Sequence, residues 1–288
     1  MEKIIREIAY AKINMGLQIL GKRQDGYHEV NMIMQSIGLQ DVVEIMPGEG
    51  IQISTNVPGL SCGPDNLAYK AAVLLAERYN VKPNVHIVLN KAIFMAAGLA
   101  GGSSDAAAVL RGLNKYWNLK LLDDKLESLA AELGSDVPFC IHGGSAIAKG
   151  RGEVILPLPD MPTAYVVVAK PKNLAISTAW VYKNFTPERV VHHPKIWQLA
   201  EHVPQGAHQM LPYMGNVLET VTIPAHPVIA FIKVAMLNAG AYYSMMSGSG
   251  PTVFALADTL ELAQQIAEAV QKFDVEVAIT TTVGRKEI

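Results

Sequence analysis

A loop rich in glycine and serine most constrains the fold of this chain, and it reads Gly98-Leu99-Ala100-Gly101-Gly102-Ser103-Ser104. It follows an apolar stretch at residues 85–89, typical of a strand, and precedes residues 105–116, where alanine and leucine recur at helical spacing. Glycines let a backbone turn tightly and approach a ligand, and the first amides of a helix have no internal partners. The loop therefore predicts a phosphate site at a helix N-terminus. A helix cap after a flexible turn is the alternative that this segment alone leaves open.

The composition limits the class of protein and of partner. Half of the 288 residues are apolar and 17% are charged, which suits a large core and excludes a disordered chain. The formal net charge of −2 provides no global basic field, so an anionic ligand must be held by local chemistry. Charges interrupt the first residues and no apolar run is long enough to cross a bilayer. We expect a cytoplasmic protein with no membrane or nucleic-acid partner.

Neither the cysteines nor the histidines have the spacing of a metal or redox site. Cys62 and Cys140 lie far apart, and we expect two reduced, mostly buried thiols. Most of the histidines lie in or near residues 185–212, a stretch rich in Pro, His and Gln for which the pattern predicts no clear structure. We expect surface or core roles for His192, His193, His202, His208 and His226.

The order of predicted elements indicates an α+β chain with two lobes, because strands and helices alternate irregularly. Strands are predicted at residues 8–20, 37–53 (one or two strands), 85–89, 145–149, 165–170, 242–246, 252–256 and 275–283. Helices are predicted at residues 66–79, 105–116, 123–133, 228–238 and 260–272, with a break at residues 135–138. The proline-rich stretch at residues 156–162 divides the chain into domains at 1–158 and 159–288.

The first predicted strand carries polar residues at alternate positions. If Ile13, Met15 and Leu17 point to the core, then Lys12, Asn14 and Gly16 share the opposite face. That face offers a cation, an amide and open space. A binding face and a solvated strand face are both consistent with this pattern.

Two turns have compositions that suit ligand contacts. Asp25-Gly26-Tyr27-His28-Glu29 sets an aromatic ring beside an imidazole, and such a pair can stack on a planar base and hydrogen-bond to it. Ser244-Met245-Met246-Ser247-Gly248-Ser249-Gly250-Pro251-Thr252 is a turn of small residues that can pass close to a ligand. By itself the second is only a hairpin-like turn.

Together, these segments resemble the three motifs of the GHMP kinase superfamily in order and spacing. The narrower pattern is similar to the 4-diphosphocytidyl-2-C-methyl-D-erythritol kinases of the non-mevalonate isoprenoid route, and the resemblance covers nearly the whole chain. It is carried by Ala11-Lys12-Ile13-Asn14, Asp25-Gly26-Tyr27-His28-Glu29, Gly101-Gly102-Ser103-Ser104-Asp105-Ala106-Ala107, Gly134-Ser135-Asp136-Val137-Pro138-Phe139 and Ser247-Gly248-Ser249-Gly250.

The resemblance implies a fold and a reaction. The fold is the two-lobed GHMP kinase fold, with an N-terminal ribosomal-protein-S5-domain-2-like lobe that binds nucleotide and a C-terminal ferredoxin-like α/β-sandwich lobe that contributes to the substrate site. The reaction is ATP-dependent phosphorylation of the 2-hydroxyl of the cytidyl substrate, giving the 2-phosphate and ADP. We expect a monomer or weak homodimer that binds a small molecule with a cytidine diphosphate group.

The resemblance also implies that Lys12 and Asp136 are the catalytic pair. A carboxylate that accepts the proton of the substrate hydroxyl helps this poor nucleophile to attack. A nearby ammonium stabilises negative charge at the reacting centre. Without the resemblance, ordinary turn chemistry after a helix is the favoured interpretation of Asp136.

The remaining site residues are also implied by the resemblance. Mg²⁺ is expected to neutralise phosphate charge, with Ser104 as a candidate ligand. The ATP side comprises Asn66, Leu67, Lys91, Phe94, Met95, Ala96, Ala97, Gly98, Leu99, Ala100, Gly101, Gly102, Ser103 and Ser104. The substrate side comprises Asn14, Tyr27, His28, Asp136, Tyr182, Ser247, Gly248 and Ser249.

Two residues depart from the pattern of the family. Phe94 stands where a proline is usual, and Ala100 stands where a third glycine is usual. Alanine is tolerated where φ is negative and is costly where φ is positive, so the departure at Ala100 concerns nucleotide affinity. The alternatives are another GHMP kinase, acting on homoserine or a mevalonate derivative, and a non-catalytic sensor on the same fold.

Overall fold

A long antiparallel hairpin of β1 (Ile5–Lys22) and β2 (His28–Pro47) is the centre of the first sheet. The computed structural model describes residues 3–285, and within this range the strands form two sheets. The other strands of the first sheet are β3 (Ile51–Thr55), β4 (Val85–Asn90), β5 (Ser145–Gly150) and β6 (Val154–Pro157). Because β2 is long, one end pairs with β4 and the other end pairs with β5.

The second sheet is antiparallel and is built from the rest of the chain. It contains β7 (Tyr165–Pro171), β9 (Tyr243–Met246), β10 (Val253–Ala257) and β11 (Val275–Thr281), in the order β11-β7-β10-β9. Between them, the short strand β8 (Gly215–Asn216) returns to the first sheet and pairs with β1 in parallel. The chain therefore passes from the first sheet to the second between Pro157 and Tyr165, near the predicted domain boundary. That boundary stays a prediction, because the later strand β8 crosses back to the first sheet.

Ten helices accompany the sheets within the described range. They are α1 (Leu67–Arg78), α2 (Gly101–Tyr116), α3 (Asp123–Leu133), α4 (Val137–His142), α5 (Thr178–Lys183), α6 (Ile196–His202), α7 (Ala207–Met210), α8 (Glu219–Ala225), α9 (Val228–Asn238) and α10 (Leu260–Val270). No single helix among residues 3–285 is long and apolar enough to span a membrane, although α8 and α9 pass that test together with a bend of 105°.

Most predicted elements are present, with three informative differences. Helix α2 begins at Gly101 rather than at residue 105, so two glycines of the loop lie inside its first turn. The predicted break at residues 135–138 contains the start of α4, because Pro138 is tolerated in a first turn where amides lack helical partners. The unassigned residues 185–212 form α6, α7 and short 3₁₀ turns.

The predicted alternation along β1 is wrong beyond Asn14. A β-bulge between Asn14 and Gly16 adds one residue and reverses which face the following side chains occupy. Leu17 therefore lies on the same side as Lys12 and Asn14, where it lines a cleft. Gly16 faces α6 instead, and a Cβ there would lie 2.7 Å from Leu199 Cδ2.

Both faces of the middle of β1, residues 11–17, are buried, so the solvated-face alternative is excluded. On one side, Ile13 and Met15 pack with α6 and with the second sheet, through residues such as Val168 and Phe254. On the other side, helices α1 and α2 cover the first sheet. Polar residues on a strand covered on both faces need partners in the structure, and the site described below provides them for Lys12 and Asn14.

Candidate active site

A cleft of about 920 Å³ lies where the first hairpin, the glycine loop, α4, α5 and the β9–β10 turn converge. It brings together side chains from both halves of the chain. Among the residues predicted from sequence, its lining contains Lys12, Asn14, Tyr27, His28, Gly98, Ser103, Asp136, Tyr182, Gly248 and Ser249.

The centre of the cleft is an ammonium beside a carboxylate. Lys12 Nζ lies 3.6 Å from Asp136 Oδ2 and donates a hydrogen bond of 2.8 Å to Asn14 Oδ1. Asn14 Nδ2 donates in turn to Met32 Sδ at 3.5 Å, so the orientation of this amide is set from both ends. The Lys12 side chain is 5% exposed and the Asp136 side chain 32%, which leaves the carboxylate open to a ligand.

Asp136 precedes α4 but does not act as an ordinary cap. Its backbone carbonyl accepts from the amide of Cys140, whereas its side chain makes no capping hydrogen bond within residues 3–285. The turn-chemistry alternative for this carboxylate is therefore not supported. Its carboxylate forms an ion pair with Lys12 instead.

A tight turn between β1 and β2 sets two rings at the rim of the cleft. The Asp25 side chain accepts from the backbone amide of Tyr27 at 3.1 Å, and the amide of Arg23 donates to the Tyr27 carbonyl at 2.8 Å. Gly26 has φ of +87°, a conformation that glycine adopts without strain. This local chemistry presents Tyr27 and His28 to the cleft.

An aromatic cluster also lines the cleft. The rings of His28 and Tyr182 are 5.4 Å apart at 38°, while Tyr27 is 53% exposed and carries the guanidinium of Arg151 5.3 Å from its ring centroid. Burial, assisted by the charge of Lys22, lowers the pKa of His28, so its neutral form is favoured. A neutral imidazole can donate one hydrogen bond and accept another.

Tyr182 keeps its proton in this cluster. Burial, followed by the negative charge of Asp136, raises the pKa of its phenol. The ring is therefore an uncharged surface on which a planar base can stack.

The glycine loop is hydrogen-bonded to β1 beside Lys12. The Lys12 amide donates to the Leu99 carbonyl at 3.1 Å, and the Ser104 hydroxyl donates to the Tyr10 carbonyl. Because Ser104 is 2% exposed and its hydroxyl is engaged, the structure does not favour it as a magnesium ligand. Ser103 lines the cleft instead.

Ala100 immediately precedes α2 and has φ of 60°, in the left-handed region. The positive φ explains why a glycine is usual at this position, since a side chain there is strained. Phe94, the other departure, packs against the buried cluster that contains Ile13. One departure therefore adds strain to the loop and the other adds packing.

Several predicted ATP contacts lie outside the cleft, and their side chains have other partners. Lys91 is buried between Asp41 and Asp105. Asn66 caps α1, accepting from the amide of Ala68 at 2.9 Å. Ala97 and Leu99 are core residues, whereas Met95 and Ala96 are exposed.

Two other predicted ATP residues lie at the start of α2. Gly102 is exposed, and a Cβ there would lie 3.9 Å from Leu67 Cδ1 with open space otherwise. Gly101 is tighter, since a Cβ there would lie 3.1 Å from Ile93 Cγ2. A ligand can therefore approach the helix at Gly102 more freely than at Gly101.

The β9–β10 turn closes on the glycine loop. The Ser247 hydroxyl donates to the Gly98 carbonyl at 3.0 Å, and a Cβ at Gly248 would lie 3.4 Å from Asn14 Oδ1. Asn216 holds this turn by donating to the carbonyls of Met246 at 2.9 Å and Gly248 at 2.7 Å. Ser247 is therefore a link between segments rather than an exposed contact.

Comparison with known proteins accounts for this arrangement. Residues 66–144 match the family described as GHMP kinases N terminal domain, and residues 196–276 match the family described as GHMP kinases C terminal. A 4-diphosphocytidyl-2-C-methyl-D-erythritol kinase of Bacillus cytotoxicus is 48% identical over 282 residues, covering 97% of each chain. The chain belongs to the 4-diphosphocytidyl-2-C-methyl-D-erythritol kinase family of the GHMP kinases.

Solved structures agree with this membership. A crystal structure of 4-(cytidine 5'-diphospho)-2C-methyl-D-erythritol kinase is 33% identical and superposes with a TM-score of 0.83, covering 97% of this chain and 100% of the other. A homoserine kinase from Cytophaga hutchinsonii, 19% identical, has the same fold with a TM-score of 0.77 over 99% and 96% of the two chains. The predicted two-lobed GHMP kinase fold and the prediction of an ATP-dependent small-molecule kinase are confirmed.

Sequence reasoning missed several residues of the kinase cleft. Thr178 lies four residues before Tyr182 on α5, and its hydroxyl is 2.9 Å from that of Ser249, so helical spacing from Tyr182 is a signal that could have found it. Nothing in the sequence pattern distinguishes the other lining residues that were missed, which include Leu17, Lys22, Met32, Arg151, Lys183 and Phe185.

No group of three His, Cys, Asp or Glu side chains in residues 3–285 could hold a metal ion.

Cys62 and Cys140 are free thiols, the first half-buried and the second buried. Burial raises the pKa of the Cys140 thiol to about 12, so this residue is unreactive at neutral pH.

Proposed function

We propose that this GHMP kinase transfers the γ-phosphoryl group of ATP to the 2-hydroxyl of 4-diphosphocytidyl-2-C-methyl-D-erythritol, giving the 2-phosphate and ADP in the non-mevalonate isoprenoid pathway. Relatives named for this substrate, 47–48% identical over 97% of the chain, support the assignment. The observation that carries it is that one cleft holds both the Lys12–Asp136 pair and the cluster of Tyr27, His28 and Tyr182.

The two ends of the cleft suit the two ends of the substrate. The cytosine base stacks between Tyr27 and Tyr182 and hydrogen-bonds to neutral His28. The diphosphate carries negative charge, and the cations that line the same cleft complement it: Lys22, Arg151 and Lys183. The hydroxyl to be phosphorylated then lies near Asn14, beside the catalytic pair.

Asp136 is the general base in this proposal. Its carboxylate accepts the proton of the 2-hydroxyl while the hydroxyl oxygen bonds to the γ-phosphorus and the bond to the bridging oxygen breaks, so that ADP leaves with the electron pair. Lys12 stabilises the negative charge around the transferring group. Asn14 holds the Lys12 ammonium through the 2.8 Å hydrogen bond.

The ATP phosphates are proposed to bind the backbone from Gly98 to Ser103, where the amides of Gly101, Gly102 and Ser103 are the first of α2. Magnesium commonly binds one or two protein oxygens together with substrate phosphates and waters, so the lack of a carboxylate cage in the described residues is compatible with it. Ser103 lines this side of the cleft and is an oxygen donor that would hold it. When bound, magnesium would neutralise phosphate charge.

A substrate panel with an ADP-release assay tests the proposal. We expect turnover with the cytidyl compound and none with homoserine or mevalonate; the reverse pattern would reject the substrate assignment. Absence of ATP turnover with every alcohol, together with equal ligand binding by Asp136→Ala and wild type, would instead identify a sensor. Analytical ultracentrifugation would test the expectation of a monomer or weak homodimer.

A further inference from the structure

Residues 92–104, which include the glycine loop and are the proposed location of ATP, are flanked by two side chains that contact each other. Lys91 is the residue immediately before residues 92–104, and Asp105 is the residue immediately after them. Lys91 Nζ lies 2.5 Å from Asp105 Oδ2 and also contacts the carboxylate of Asp41 on β2. The side chains of Lys91, Asp41 and Asp105 are 2%, 0% and 5% exposed, so all three are buried.

The entry of the loop is held by further bonds. Asp41 Oδ1 accepts from the backbone amides of Ala92 and Ile93, at 2.5 and 2.8 Å. The Asn56 side chain accepts from the Lys91 amide at 2.8 Å and donates to the Lys91 carbonyl at 3.0 Å. The first residues of the loop therefore cannot shift without breaking several hydrogen bonds that are buried or partly buried.

The exit of the loop is the first turn of α2. Asp105 follows this turn as the fifth residue of the helix, and a Cβ at Gly101 would lie 3.5 Å from Lys91 Nζ. The ammonium thus lies close to the first turn of α2, whose amides face the phosphates in the proposed location of ATP. A displacement of α2 along its axis would break the bond between Lys91 and Asp105.

We propose that Asp41, Lys91 and Asp105 form a staple that holds the two ends of the loop in register and so positions the amides that receive ATP. Lys91 and Asp105 are then positioning residues, and Lys91 is not a nucleotide contact. The proposal rests on the proposed location of ATP at this loop.

A contribution to the stability of the fold is not a sufficient explanation for three buried charged side chains. Replacing a buried ion pair with apolar residues of similar size is often neutral for stability, whereas its geometry is specific. Burial raises the pKa of Asp105 to about 7, with the charge of Lys91 opposing the rise. Both the acid and the carboxylate accept a hydrogen bond from an ammonium, so the staple holds on either side of this pKa.

Two variants at one position separate positioning from folding. Asp105→Leu removes the exit contact and leaves Lys91 paired with Asp41, whereas Asp105→Asn keeps an oxygen that accepts from Lys91. We expect Asp105→Leu to weaken ATP binding about tenfold or more in direct titration and to leave KM for the cytidyl compound within about twofold. Asp105→Asn should bind ATP within about threefold of wild type. The control removes an exposed ion pair, Arg78→Ala with Glu132→Ala. It should change neither the ATP dissociation constant nor KM for the cytidyl compound.

Failure of the staple proposal can be distinguished from failure of the proposed ATP location. Gly102→Val fills open space at the start of α2, and if it leaves ATP binding unchanged, ATP does not bind at this loop and the proposed location is wrong. If Gly102→Val blocks ATP while a folded Asp105→Leu binds it as wild type does, the staple is refuted. Should Asp105→Leu fail to fold, the same comparison is made with Asp105→Ala. Should that variant also fail, Lys91→Met with Asp105→Leu removes both charges, and wild-type ATP affinity in this pair would equally refute the staple.

Discussion

The ammonium of Lys12 lies 3.6 Å from the carboxylate of Asp136, although one residue is in the middle of β1 and the other precedes α4. Asn14, two residues along the same strand, holds the ammonium at 2.8 Å. The strand and the helix start therefore supply the two charged groups of the proposed reaction. The turn at Gly248 passes close to the ammonium, since a Cβ there would lie 3.5 Å from Lys12 Nζ and 3.4 Å from Asn14 Oδ1.

Replacing Asp136 with asparagine should stop chemistry without preventing ATP binding. Loss of a general base typically costs about 10² to 10⁴ in rate, so we expect kcat to fall by that factor. The ATP dissociation constant should change less than about threefold, since the phosphates contact backbone amides. Single-turnover kinetics measure the rate of the chemical step, and ATP titration measures the dissociation constant. Asp123→Asn, at an exposed position on α3, is the matched control, and near-normal turnover in Asp136→Asn would rule out this carboxylate as the base.

Removing the ring of Tyr182 should affect only the cytidyl side. Stacking of an aromatic ring on a base contributes about 1–3 kcal/mol, so Tyr182→Ala should raise KM for the cytidyl compound by about tenfold or more. Tyr182→Phe keeps the ring and should remain within about twofold of wild type. Steady-state kinetics with each substrate varied in turn provide the measurement. An equal rise of KM for ATP in Tyr182→Ala would show that the ring does not act on the base.

Acid should weaken both cytidyl binding and the fold through His28. Because its pKa in the folded protein is below the ordinary value of 6.5, the unfolded chain takes up the proton first as pH falls. The contribution of His28 to stability is thus complete above about pH 6.5 and declines below it. We expect KM for the cytidyl compound to be constant from pH 8 to 6.5 and to rise at lower pH.

His28→Gln provides the comparison for this pH effect, since glutamine does not take up a proton. Urea denaturation at pH 7 and pH 5 should show a smaller loss of stability for His28→Gln than for wild type. The low-pH rise in KM should also be smaller in this variant. Identical losses in the two proteins would assign the acid sensitivity to other groups.

Replacing Ala100 with glycine should stabilise the protein. A non-glycine residue in the left-handed region costs about 1–2 kcal/mol, and the extra backbone entropy of glycine offsets about 0.5–1 kcal/mol of the gain. We therefore expect a rise of up to about 1.5 kcal/mol in the free energy of unfolding, measured by chemical denaturation. Ala107→Gly, in the middle of α2, should lower the stability instead, because its backbone is already helical. Destabilisation by Ala100→Gly would show that the positive φ carries no strain.

Much of the site could be predicted because its signals are local. The Asp25-Gly26 turn, the glycines before α2 and the position of Asp136 at a helix start all depend on backbone preferences of a few adjacent residues. Apolar periodicity likewise predicts the strands and helices over short ranges. The resemblance to the GHMP kinases then related these separate segments to one another.

The partners of individual side chains could not be predicted in the same way. Lys91 and Asn66 belong to motif positions, yet one is buried in an ion-pair group and the other caps α1. Asn216 anchors the β9–β10 turn from a two-residue strand that no periodicity reveals. Each of these contacts joins segments that are distant in sequence, so it exists only after those segments pack.

The sequence by itself determined the order of elements, the glycine-rich turn before α2 and the residue types of the proposed catalytic pair, because these follow from local conformational preference and chemistry. The tertiary structure alone decided which faces those residues occupy. The bulge after Asn14 moves Leu17 into the cleft and Gly16 against α6, and the hydroxyl of Ser104 is engaged with Tyr10 while Ser103 lines the cleft. A shift of one residue reverses a face of a strand, and only the packing of both sheets around β1 selects that shift.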